Sequence, residues 1–140
     1  MIVTLTEHQV SAILSEKRLG RLGCIVNGDP YIVPINYYYE DGFIYSHSLA
    51  GLKISALREN PRACLQVDEI ADDLNWQSVL AFGTFEEIHQ TAEKAKVINK
   101  LLRDCPKLTP VESQLAADGA APPLVAFRIR IERVTGVAEN

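Results

Sequence analysis

Two dipeptides constrain this chain most. Asn27-Gly28 and Asp41-Gly42 each stand between runs rich in β-branched and aromatic residues. Asn-Gly and Asp-Gly readily take the two positive-φ positions of a type I′ turn, whose twist matches that of the flanking strands, so each marks a tight hairpin. Leu19–Val26, Tyr31–Tyr39 and Phe43–Ser46 therefore read as three successive antiparallel strands. Pro34 lies inside the second and marks an edge or an irregular point, because it has no N–H to give to a ladder.

The remaining pattern extends this arrangement. Ala63–Val67 reads as a fourth strand, and Trp76–Ile88 as a long fifth one interrupted by Gly83, where a bulge or bend is expected. Val125, Phe127, Ile129 and Ile131 alternate with Ala126, Arg128, Arg130 and Glu132, the period of a half-buried sixth strand. Between them lie helical signals. Thr6-Glu7-His8-Gln9 has capping-box spacing and predicts a helix over 6–17, with Val10, Ile13 and Leu14 on one face. Leu49–Glu59 reads as a short helix with Ile54 and Leu57 inward, stopped before Pro61. Ala92–Asp104 reads as a third, with Ala95, Ile98, Leu101 and Leu102 on one side. Thr109-Pro110-Val111-Glu112 is a second capping box, closed by Gly119 ahead of Pro122-Pro123. Hairpin-joined strands without βαβ alternation predict a mainly β chain: a six-stranded antiparallel barrel with peripheral helices, one domain over 1–140.

Charge and composition narrow the function. The net charge is −4 and the Lys and Arg residues are scattered, so no basic face is offered to a nucleic acid. No apolar run reaches the roughly 18–20 residues of a membrane span. Cys24, Cys64 and Cys105 form no C-x-x-C pair, and the expectation is reduced thiols in a cytoplasmic protein. No metal is expected, since His8 and His89 have no second ligand at binding spacing. Asp68, Glu69, Asp72 and Asp73 lack the spacing and glycine of a calcium loop and read as a solvated acidic loop. Tyr37, Tyr38 and Tyr39 should be split between two faces by strand alternation, which favours packing over a redox cluster.

The segment Phe43-Ile-Tyr-Ser-His-Ser-Leu-Ala-Gly-Leu-Lys53 carries the chemistry. A strand ends in hydroxyl and imidazole groups, Gly51 follows, and a helix opens with Lys53 in its first turn. Unsatisfied N–H groups and the positive dipole end at a helix start favour an anion. The segment is not a P-loop, and a helix start with a solvated lysine is the alternative. Ser46 and His47 are neighbours on a strand and point to opposite faces, so no Ser–His–Asp arrangement is built there. His47 reads equally as a proton donor or acceptor beside a ligand and as a hydrogen-bonded structural residue.

The ordered set G-R-L-G (20–23), P-x-N-Y (34–37), D-G-x-I-Y-x-H (41–47), G-x-K (51–53) and R-x-N-P-R-A-C (58–64) resembles the FMN-binding split-barrel superfamily of pyridoxamine-phosphate oxidase. The closer resemblance is to its nitroimidazole-resistance branch, which Trp76-Gln-Ser-Val79 and Ile131-Glu-x-Val-Thr-Gly136 also fit. The resemblance implies a Greek-key split barrel and a homodimer binding FMN. It places Lys53 at the phosphate, with Ser46 and His47 on the phosphate and ribityl side. Val33, Pro34, Ile35 and Asn36 would lie along the isoalloxazine edge, and Trp76 and Ser78 would reach the flavin from the other subunit. Leu52 stands where many relatives carry arginine, which leaves one lysine as a point charge unless Arg21 or Arg58 compensates. The oxidase's basic substrate residues have no counterpart around Arg128–Val137, so vitamin B6 oxidation is not expected. The resemblance then implies an FMN-dependent oxidoreductase reducing a small molecule such as a nitro compound or a quinone-like acceptor. A non-catalytic flavin-binding, flavin-storing or stress-related module, or a haem- or deazaflavin-binding relative, fits the same fold.

Overall fold

The computed structural model describes residues 1–105 and 124–140. The second capping box at Thr109–Glu112, with Gly119 and Pro122-Pro123, lies outside the described residues. Along the chain the elements are β1 (Ile2–Thr4), α1 (Glu7–Glu16), β2 (Leu19–Val26), β3 (Asp29–Asn36), β4 (Tyr38–Glu40) and β5 (Phe43–Leu49). They continue with α2 (Leu52–Glu59), β6 (Arg62–Asp72), β7 (Asn75–Ile88), α3 (Thr91–Asp104) and β8 (Leu124–Glu139). Six of the strands are the six expected. The expected second strand, Tyr31–Tyr39, is broken at Tyr37 into β3 and the three-residue β4, and the structure adds the three-residue β1.

Both hairpin turns form as their dipeptides dictate. Asn27 and Gly28 take φ of 51° and 82°, and Asp41 and Gly42 take 50° and 84°. All pairings are antiparallel, in the order β3-β2-β6-β7-β8-β5-β4, with β1 on the far part of β8. No ladder joins β3 to β5, so the sheet curls into a barrel that stays split along that seam. The bulge expected at Gly83 is present, as the β7–β8 register shifts between Phe82 and Gly83. A Cβ on Gly83 would stand 2.2 Å from the Arg130 carbonyl oxygen, so only glycine allows this approach.

Inward residues of the strands (Leu22, Ile44, Leu65, Val79, Phe127 and Ile129 among them) fill one core. Each buried Leu, Ile or Phe of this kind contributes about 1.5–3 kcal/mol. Helix α1 adds Val10, Ile13 and Leu14, held by the predicted capping box: Gln9 N–H donates to Thr6 Oγ1 (3.2 Å), and Thr6 N–H to Gln9 Oε1 (2.8 Å). Helix α2 adds Ile54 and Leu57, both fully buried. Tyr37 enters this core and donates its hydroxyl to the Leu14 carbonyl at 2.8 Å. Tyr38 joins a second, smaller core under α3, stacked on Tyr45 with ring centroids 4.9 Å apart, so the tyrosines are divided as alternation requires.

Several boundaries and faces differ from expectation. Strand β5 runs on to Leu49, because β8 pairs with it as far as Leu124, and α2 starts only after Gly51. The acidic stretch is no loop: β6 extends to Asp72, and only Asp73 and Leu74 turn. The Asp72 carboxylate caps that turn by accepting from Leu74 N–H (2.8 Å) and from Asn75, which holds its pKa below the usual range. In α3 the buried face is Val97 and Leu101, with Ile98 and Cys105 beside them, while Ala95 and Leu102 face outward. An i,i+4 pair centred on Val97 matches the second core better than the stripe drawn through Ala95. Among the described residues no helix is long and apolar enough to cross a membrane.

Candidate functional site

The seam between β3 and β5 brings two of the sequence candidates, Asn36 and Ser46, together. Strand β3 ends the path of the sheet, so part of its backbone is not taken up by a ladder. Val33 and Ile35 point inward, Ile35 into the core, while Pro34 is exposed. What this stretch offers a ligand is therefore backbone and the Pro34 ring. Across the seam, Ser46 is fully buried and donates its hydroxyl to the Asn36 carbonyl at 2.6 Å. Ser48 is also buried and donates to the Leu49 carbonyl at 2.9 Å.

His47 lies on the opposite side of β5 from Ser46 and Ser48, paired with Ala126 of the second core, and its Nδ1 is buried. Ser46 and His47 therefore do not present themselves to one ligand from one face. Lys53 occupies the second position of α2. The helix starts at Gly51 with no side-chain cap and has no acidic residue in its first turn, so those N–H groups suit an anion. Burial pushes the Cys24 thiol up, and the Lys53 ammonium acts in the other direction. Cys24 pairs with Tyr31, five residues before Asn36 on β3. The chemistry of this donor set, a cation at an uncapped helix start together with strand-edge backbone, fits a ligand with an anionic group.

Trp76 and Ser78 are not part of that cluster. Pro34, Arg21, Gln66 and Leu80 form one row across β3, β2, β6 and β7. At strand spacing, Pro34 and Leu80 are about 14 Å apart around the barrel, and Ser78 lies two residues beyond Leu80. Ser78 instead accepts from Gln66 Nε2 (3.1 Å), which also donates to Asp68 Oδ2 (2.9 Å). Arg21 closes the network by donating to Gln66 Oε1 (3.2 Å) and Asp68 Oδ2 (3.0 Å). Trp76 stands opposite Ile70 and Glu139 near the β6–β7 turn. The residues tying Ser78 down, Gln66 and Asp68, were not singled out in the sequence. Their signal is register: both occupy outward positions of β6, which only the pairing with β2 and β7 reveals. Arg21, which could have compensated for Leu52, is engaged here, and Arg58 pairs with Glu87 at 2.7 Å. Among the described residues no group of three or more His, Cys, Asp or Glu is placed to hold a metal ion.

The model for the pyridoxamine 5'-phosphate oxidase family matches residues 6–138. The chain belongs to that family. Among solved structures, an FAD-binding protein of Mesorhizobium loti is 32% identical, with a TM-score of 0.79, covering 100% of this chain and 99% of its own. A candidate 5-nitroimidazole antibiotic resistance protein of Bacteroides thetaiotaomicron shares the fold at 21% identity and a TM-score of 0.75, over 99% of this chain and 87% of that one. An uncharacterized protein of Rhizobium meliloti (strain 1021) is 33% identical over 87 residues, which are 62% of this chain. The match spans only 58% of that relative's length. The fold expected from the sequence, a split β-barrel of the pyridoxamine-phosphate-oxidase type, is the one found.

Proposed function

We propose that this protein binds a flavin along the β3–β5 seam and uses it as an oxidoreductase on a small oxidised substrate. The observation that carries the reading is that α2, uncapped and with Lys53 in its first turn, follows directly on β5, while β3 ends the path of the sheet across the seam from β5. FMN is the flavin this donor set suits: its phosphate would meet Lys53 and the first-turn N–H groups, and the ring edge would meet the backbone of residues 33–36. When bound, a flavin supplies hydride or single-electron transfer, and the protein's part is to orient the ring and keep its surroundings polar or dry. A nitro compound or a quinone-like acceptor is the substrate class in view. Trp76 and Ser78, set away from the seam on their own chain, would complete the site from a second copy.

A second reading takes FAD instead. The Mesorhizobium loti protein that matches this chain over its whole length is an FAD-binding protein. Leu52, 57% exposed beside Lys53, supplies no second cation for a phosphate monoester, and a diphosphate carries less charge on each phosphorus. The test is the visible spectrum of the purified protein, followed by release and chromatography of the bound cofactor. Flavin absorbance with FMN or FAD released supports the function and decides between the two readings. Colourless protein that gains no thermal stability from either nucleotide would sink both. Stopped-flow mixing of reduced holoprotein with nitroaromatic acceptors separates an enzyme from a carrier, since a carrier leaves the flavin reduced.

A further inference from the structure

Helix α2 carries Lys53 in its first turn and Arg58 in its last. Its buried residues are Ile54, Ala56 and Leu57, which hold it down on the barrel. Apolar burial is non-directional, however, and does not by itself fix how far a two-turn helix is rolled on the surface beneath it. No side-chain cap fixes its N-terminus.

The C-terminal turn is different. Arg58 donates from Nε to Glu87 Oε1 at 2.7 Å and from Nη2 to Glu87 Oε2 at 3.0 Å, so two bonds engage both carboxylate oxygens. A planar fork on a carboxylate sets direction as well as distance, which a lysine in the same place would not do. Glu87 is itself firmly seated. It lies on β7 two residues beyond the core residue Phe85, opposite the fully buried Phe127 of β8. Its side chain is only 17% exposed, and the bonds from Arg58 hold its carboxyl below the usual range. The exit from α2 is bonded to the same strand, because Phe85 N–H donates to the Pro61 carbonyl at 2.8 Å. An ion pair with a half-exposed arginine adds little to stability, whereas its two bonds define one orientation of the helix.

Arg58 is not a second ligand for the anion that Lys53 would meet. With about 3.6 residues per turn, positions 53 and 58 are turned roughly 140° from one another and stand about 7.5 Å apart along the axis. The two side chains therefore leave nearly opposite sides of the helix, one engaged with β7 and the other available to the site.

We propose that Arg58 is a positioning residue for the anion end of the flavin site. Clasped to Glu87, it fixes the roll of α2 on the barrel, and with it the aim of Lys53 and the first-turn N–H groups. The inference rests on the flavin reading above and adds the pair that sets its phosphate affinity. The test is fluorescence titration of FMN, and of riboflavin, which lacks the phosphate. The samples are the native chain, Arg58→Gln, Glu87→Gln and the exchanged pair Arg58→Glu with Glu87→Arg. Each single variant is expected to bind FMN roughly tenfold more weakly with riboflavin affinity unchanged, and the exchanged pair to recover much of the loss. Flavin-free samples should unfold at temperatures near the native one. FMN affinity that does not move, FMN and riboflavin affinities that fall together, or weak FMN binding that tracks a large fall in the unfolding temperature each overturn the clasp and leave the flavin reading standing. A native chain that binds neither ligand overturns both.

Discussion

The hydroxyl of Ser46 donates to the carbonyl of Asn36 at 2.6 Å, tying β5 to β3 where no ladder joins them. Removing it by Ser46→Ala leaves a carbonyl at the seam without that donor and frees a small void at a fully buried position. The expected cost is about 1–3 kcal/mol, read as a fall in the urea midpoint without a change in slope. If the seam is the flavin site, flavin affinity should fall with it. A variant as stable as the native chain would show that the seam is held elsewhere.

Lys53→Ala tests the anion end of the site. A charge-assisted hydrogen bond to phosphate is worth about 1.5–3 kcal/mol, so FMN should bind roughly ten- to a hundredfold more weakly. Fluorescence titration of added FMN measures this, and Lys53→Arg should restore much of the affinity. Equal affinities for the alanine variant and the native chain would move the phosphate away from α2.

Gly83→Ala places a methyl group against the Arg130 carbonyl oxygen, with no flexible side chain to give way. The bulge must then shift, at an expected cost of more than about 2 kcal/mol in thermal or urea unfolding. Gly23→Ala, two strands away across the sheet, meets only ordinary contacts and should leave the unfolding of the isolated fold unchanged or improved. Equal losses in the two variants would contradict the bulge geometry.

Alkali should unfold the protein through its buried tyrosines. Burial pushes the Tyr37 phenol well above its ordinary value, and Tyr38 up to about 12, with Glu40 adding to the latter. A phenol whose folded pKa is raised favours folding fully below its unfolded pKa near 10, and that contribution is lost as pH rises toward 12. The urea midpoint should therefore fall above about pH 10. Tyr37→Phe should flatten this fall while costing the hydroxyl's bond to the Leu14 carbonyl at every pH. A midpoint indifferent to pH between 9 and 11 would contradict the burial of both rings.

Local chemistry made much of the fold legible. Thr6 and Gln9 cap α1 as their spacing requires, because a capping box is closed within four residues and needs no help from the rest of the chain. The faces of α3 were less legible: Ala95, Ile98, Leu101 and Leu102 make a helical stripe, but the small second core is centred on Tyr38 and Ala126 and draws in Val97. Beyond Asp68, β6 continues through acidic residues because β7 supplies a backbone partner up to Asn75, and backbone pairing is indifferent to side-chain charge. Of the site, the start of α2 with Lys53 was legible from the strand–glycine–helix pattern. The separation of Trp76 and Ser78 from it was not, since their place depends on the row running from Pro34 through Arg21 and Gln66 to Leu80.

By itself, then, the sequence determined the tight turns, since Asn27-Gly28 and Asp41-Gly42 are among the few pairs that accept two successive positive φ angles. From the turns follow the antiparallel hairpins. Only the tertiary structure decided which strands lie side by side after each hairpin, and so where the seam opens. Turn geometry is set by steric clashes within a few residues. The order and stagger of strands are set by burying inward side chains drawn from the whole length of the chain.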